Sequence, residues 1–175
     1  MRMDEPRMTH ARERVIRYDV TTWWRFDAPL EAVWDAIVDA ENWPVWWSGI
    51  EEVVTLAPGD GSGIGARRRC TCRGLLPFRL TIVTCVTRVE PLRLIEGRVS
   101  GELEGVGRCH LGRDARFTTV RYEWQVRTVR RWMNWLGPFA KPIFRWNHVA
   151  MMHAGGVGLA RHLDSRAVPR TGDSA

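Results

Sequence analysis

The chain has 175 residues, 45% of them apolar and 26% charged, an ordinary globular balance in a length able to bury a core. Its formal charge is +6, and Lys141 is the one lysine, so the positive charge is arginine scattered along the chain. Nucleic-acid binding needs a contiguous basic footprint, which this scatter does not supply, and no apolar run is long enough to span a bilayer.

Ten tryptophans set the chain apart and point to an aromatic core or to the walls of a pocket for an apolar ligand. Cys70, Cys72, Cys85 and Cys109 lack zinc-site spacing. They read as free thiols of a reducing compartment, and the polar start MRMDEPRMTHARER carries no signal-peptide pattern, so a cytoplasmic location is expected.

In chain order, VIRYDVTTWWRF alternates, with Ile16, Tyr18, Val20, Trp24 and Phe26 on one face of a first strand. Asp27 stands as an N-cap before Pro29, and Leu30, Val33, Trp34, Ile37 and Val38 follow at helical spacing. Pro44 in ENWPVWWSGI starts a second short helix ending near Gly49. About six strands then run to residue 128, separated by PGDGSGIG, LLP, EP, SG and GRD turns. Their alternation is that of an antiparallel sheet with one packed and one wet face. PGDGSGIG lacks the G-K-[ST] ending of a phosphate loop and precedes a strand, so it reads as a turn. In GELEGVGRCHLG the phase of Leu103, Gly105, Gly107, Cys109 and Leu111 is small or apolar and faces inward, turning Glu104 outward. A long helix closes the chain; Pro138 and Pro142 predict an irregular start, with a clean run from Ile143 to Leu163. Residues 14–163 read as one domain, with 1–13 and 164–175 as flexible termini.

The closing helix carries His148, His153 and His162. The first two lie five residues apart, about 140° around a helix, so they cannot share a metal, and no metal or cofactor is expected. Ile143, Ala150 and Ala154, with Asn147 between them and Phe139, Trp146 and Val157 flanking, mark the predicted buried face, with His148 turned away. Asn147 on an apolar face needs a partner, either sheet backbone, a buried water or a ligand oxygen. Gly155, Gly156 and Gly158 signal a close approach, by the sheet or by a ligand.

This order, with FDAPLEAVWDAIVDAENWPVWW, GELEGVGR, YEWQVRT, WMNWLGPFAKPIFRWNH and GGVGLARHL in it, resembles the helix-grip superfamily called START-like or SRPBCC. It is most similar to the polyketide cyclase/dehydrase-like branch, over Val15 to Leu163. The resemblance implies an α+β fold, a curved antiparallel sheet of about seven strands around the C-terminal helix, with an apolar cavity between them. It also implies a small hydrophobic ligand, aromatic, polyketide-like or lipid-like.

Candidate ligand-binding residues are then Tyr122, Trp124, Phe139, Ile143, Trp146, Asn147 and Ala150, with Gly105, Gly107 and Cys109 opposite the helix. Tyr122 is the side chain best suited to polarise a carbonyl, or else packs in the core. Trp43, Trp46 and Trp47, and Trp132 and Trp135 beside Arg130 and Arg131, read as core, cavity lid or transient membrane-surface contact. Three functions stay open: a carrier without chemistry, a cyclase or dehydratase working by positioning, and a membrane- or protein-associating module.

Overall fold

Period-two patterning produces seven strands: β1 Arg17–Phe26, β2 Ile50–Ala57, β3 Arg67–Arg73, β4 Arg79–Glu90, β5 Leu94–Gly101, β6 Leu103–Asp114 and β7 Phe117–Thr128. The computed structural model describes residues 17–74, 78–129 and 137–167. All seven strands pair antiparallel in one sheet, in the order β1-β7-β6-β5-β4-β3-β2. The first two strands therefore lie at opposite edges. The chain crosses between them through α1 (Leu30–Val38), a 3-10 turn at Ala40–Asn42 and α2 (Trp43–Trp46). The long helix α3, Gly137–Ala167, then follows β7. This is the helix-grip arrangement that the sequence predicts.

Several boundaries differ from expectation. Asp27 does not cap α1; Pro29 holds the N-cap position without a side-chain bond, and Asp27 instead pairs with Arg116 at 3.2 Å. Helix α3 runs through Pro142 and on to Ala167, four residues past Leu163. Residues 1–16, the LLP turn at 75–77, the segment 130–136 with Trp132 and Trp135, and the tail from 168 lie outside the described residues.

Within each strand the alternation decides which face is dry. In β3 the exposed Arg67 and Arg69 flank Arg68, which shares the inward phase of the buried Cys70 and Cys72. The register of β6 against β7 is unbroken from Leu103 to Asp114. Glu104 therefore stays on the outer face, paired with Arg127 at 2.7 Å. Arg108–Glu96 at 2.6 Å and Arg121–Glu123 at 3.1 Å occupy the same outer face. Such partly exposed pairs add little stability each.

Helix α3 is fastened to the rest by tryptophans. Trp24 of β1 donates its indole N–H to the Met152 carbonyl at 3.1 Å, and Trp47 donates to the Met151 carbonyl at 2.9 Å. A Cβ on Gly155 would stand 2.5 Å from the Trp47 ring, and one on Gly156 2.9 Å from the Trp24 ring. A Cβ on Gly158 would overlap the Trp46 backbone carbonyl. Gly155 and Gly156 are thus the sockets for two indoles and Gly158 for the Trp46 backbone, which is the close approach that the sequence signals. Trp46 and Trp47 are buried and stacked at 5.5 Å, so these two of the first tryptophan cluster are core.

Candidate functional site

The concave face of the sheet and α3 do not close on one another completely. Among the described residues two adjoining chambers lie between them, an inner one of about 160 Å³ beneath α3 and an outer one of about 470 Å³ toward α1 and the 61–63 turn; a more open cleft of about 870 Å³, with Gly105 in its lining, borders the inner one at Tyr18 and Arg145. Trp43, Thr84, Tyr122 and Trp124 line both. The strands supply this wall by alternation: Tyr122 and Trp124 are successive inward residues of β7, stacked at 6.3 Å. Gly107 of β6 lies opposite Trp124, and a Cβ there would only touch the indole, at 3.9 Å.

Of the predicted ligand-binding residues, Tyr122 and Trp124 line both chambers, Gly107 and Cys109 the outer one, and Asn147 the inner one. Asn147 packs so closely on Gly74 that a Cβ there would overlap its amide. Gly105 lies outside both chambers; with φ at +154° a Cβ there would stand 2.0 Å from the Gln125 carbonyl oxygen, so the position admits no side chain. Ile143 and Trp146, placed inward by the sequence reading, are 45% and 57% exposed, and Ala150 lines neither chamber. The Phe139 side chain lies outside the described ones. The inward face of α3 is Phe144, His148, Met151 and Met152, followed by Gly155, Leu159 and Leu163. His148 therefore faces the cavity, contrary to expectation.

Of the polar groups in these walls, Trp43 donates to the Ile37 carbonyl at 3.1 Å and Trp47 to the Met151 carbonyl at 2.9 Å, while four others are unsatisfied. Tyr18 Oη, Trp124 Nε1 and His148 Nε2 around the inner chamber are buried without a hydrogen-bond partner, as is Arg68 Nε beside the outer one. The His148 ring meets Trp124 edge-to-face at 6.4 Å, and Tyr18 meets Phe144, one turn before His148, at 6.1 Å. Burial lowers the His148 pKa to about 4 and raises Tyr18 to about 12. It also raises Cys70 to about 11 and Cys72 to about 12, and pushes Tyr122 well above the usual phenol value. At neutral pH these groups are all uncharged. They can orient and polarise a ligand by hydrogen bonding, but none is poised to exchange a proton near pH 7.

Charge is equally one-sided. Among the described residues, the charged ones lining the chambers are Arg68 and the exposed Arg145, and no carboxylate lines either. Among the described residues no three His, Cys, Asp or Glu side chains group as a metal site requires. No described helix is long and apolar enough to cross a membrane.

The neutral His148 has a measurable consequence. A folded-state pKa of about 4 lies below the unfolded value near 6.5, so the unfolded chain binds the extra proton between them. Stability from this group is complete above about pH 6.5 and is lost as pH falls toward 4. Thermal melts from pH 7 to pH 5 should show a steeper loss for the native chain than for His148→Leu. Parallel curves would exclude a buried neutral imidazole.

The sequence matches the family described as polyketide cyclase / dehydrase and lipid transport across residues 10–164. A search among curated proteins finds no match. Among solved structures, the protein TTHA0849 from Thermus thermophilus superposes with a TM-score of 0.68 at 15% identity, covering 86% of this chain and 100% of its own. The Zhui aromatase/cyclase from Streptomyces sp. R1128 gives 0.70 at 15% identity, covering 90% and 100%. A START superfamily protein from Mycobacterium smegmatis gives 0.69 at 13% identity, covering 85% and 99%. At such identities the structural likeness establishes the fold alone, and the family match over most of the chain establishes kinship: this chain belongs to the polyketide cyclase / dehydrase and lipid transport family.

Proposed function

We propose that the protein binds a small, mainly apolar molecule bearing one acidic group, and that it acts as a carrier or binding protein. The observation behind this reading is the composition of the cavity among the described residues: apolar and aromatic walls, no carboxylate, and Arg68 on the concave face without a counter-ion. A guanidinium withdrawn from water is costly unless it is paired, and an anionic ligand head would supply the pair. A cationic ligand would meet two arginines and no opposite charge. The aromatic walls suit a flat or aliphatic body, as ligand pockets commonly do.

A second reading, cyclisation or dehydration of a bound chain, has one feature in its favour, the Tyr122 and His148 side chains in the walls. Both stay neutral, so such an enzyme would work by holding reacting carbons together and polarising a carbonyl. The membrane-associating reading loses Trp46 and Trp47, which are buried.

The test is native mass spectrometry of protein purified from its own host, together with titration by an environment-sensitive hydrophobic fluorophore. The expected result is a co-purified small acid, and a fluorophore signal that long-chain or aromatic acids displace. Absence of both a bound mass and fluorophore binding would overturn the proposal.

A further inference from the structure

The inner chamber has a feature that Arg68 does not explain. Three polar atoms from three elements, Tyr18 Oη on β1, Trp124 Nε1 on β7 and His148 Nε2 on α3, surround it with no hydrogen bond. One orphan in a native structure is ordinary; three around one small chamber call for an explanation. The chamber holds about 160 Å³, close to the roughly 150 Å³ that suffices for one benzene-sized ring.

We propose that this chamber is the subsite for a single ring carrying a neutral carbonyl oxygen, received by Trp124 Nε1 and His148 Nε2, with the Tyr18 hydroxyl as third donor. The inference rests on the binding function argued above and specifies the deep end of the same ligand. The indole N–H can only donate, so the incoming atom must accept. Neutral histidine presents a donor at Nε2 in one of its two tautomers without any change of charge, and Tyr18 keeps its proton. A plain hydrocarbon ring would leave all three orphaned. A carboxylate would enter a ring of neutral groups, with the nearest cation, Arg145, exposed on α3. A ketone oxygen satisfies the donors and requires no counter-ion. The ligand-free arrangement is accordingly the less favourable one, and a small rotation of the Trp124 and His148 rings onto the oxygen relieves two orphans together.

Displacement of a bound hydrophobic fluorophore by 4-ethylcyclohexanone and by ethylcyclohexane tests this, in the native chain and in Trp124→Phe and His148→Leu. Comparing the ratio of the two affinities between proteins cancels the different hydration of the two probes. The ketone-over-hydrocarbon ratio should fall about tenfold in each variant, whatever the change in hydrocarbon affinity itself. An unchanged ratio in both variants overturns the subsite, as does fluorophore binding that neither ring displaces; either result leaves the general binding function standing. Failure of the fluorophore to bind the native chain removes that function and the subsite with it. A cooperative thermal transition well above the assay temperature in each variant confirms that the ratio is read from folded protein.

Discussion

Replacing Gly158 by alanine should lower the stability of this protein by about 3 kcal/mol, at the upper end of what overpacking a core usually costs. The added methyl would overlap the Trp46 carbonyl oxygen, and the Trp46 carbonyl carbon would stand 2.9 Å away. Both are backbone atoms at the end of α2, so no side chain can swing aside to make room. Relief requires α3 to lift from α2, and the indoles of Trp24 and Trp47 bind α3 through its Met152 and Met151 carbonyls. Alanine gains up to about 1 kcal/mol of helix propensity over glycine, which offsets only part of this. At Gly156 the obstruction is the Trp24 ring, a side chain, and the same substitution should cost less. Urea unfolding measures both. A loss below about 1 kcal/mol at Gly158 would mean that the α2–α3 contact is not closely packed.

The reason these glycines were recognisable and the helix face was not is physical. A run of glycines in a helix costs propensity, so its presence reports a close neighbour whatever that neighbour is. The phase of a helix, by contrast, is read by assuming that bulky apolar residues face inward. In α3 that assumption fails over its first half, where Ile143, Trp146 and Val149 are 45%, 57% and 52% exposed. A better signal was present in the second half: His148, Met152, Gly155, Leu159 and Leu163 recur at spacings of four, three, four and four, and Met152, Leu159 and Leu163 are buried. Extending that stripe backward would have turned His148 inward. The strands were easier, since period two leaves one inward phase, and that phase placed Tyr122, Trp124, Gly107 and Cys109 on the cavity wall. The same rule applied to Arg67–Arg69 separates Arg68 from its neighbours, but only the surroundings show that its Nε has no hydrogen-bond partner among the described residues. Tertiary proximity of Tyr18, Trp124 and His148, far apart in the chain, has no local signature at all.

Arg68→Leu should move stability and binding in opposite directions. In the native chain the guanidinium shares the dry phase of Cys70 and Cys72, and its Nε is buried without a partner. Leucine at this site removes an unpaired charge and adds apolar area, so the ligand-free protein should gain about 1 kcal/mol, a modest figure because Arg68 retains some contact with water. For a ligand carrying a carboxylate the change is adverse. Losing one partner of a charge-assisted pair in a partly dry site costs about 2–3 kcal/mol, or roughly 30- to 150-fold in affinity. A fatty or aromatic acid and its methyl ester separate this from a general loss of fit. The native chain should prefer the acid, and Arg68→Leu should prefer the ester, with ester affinity little changed, because the ester makes no ion pair that the variant could lose. Arg68→Lys keeps the charge but loses the planar fork, and should fall between them. If acid and ester lose affinity equally in Arg68→Leu, Arg68 shapes the cavity without reading charge. If the acid is unaffected while stability rises, the acidic head lies elsewhere, with Arg145 at the inner chamber as the remaining cation that could hold it.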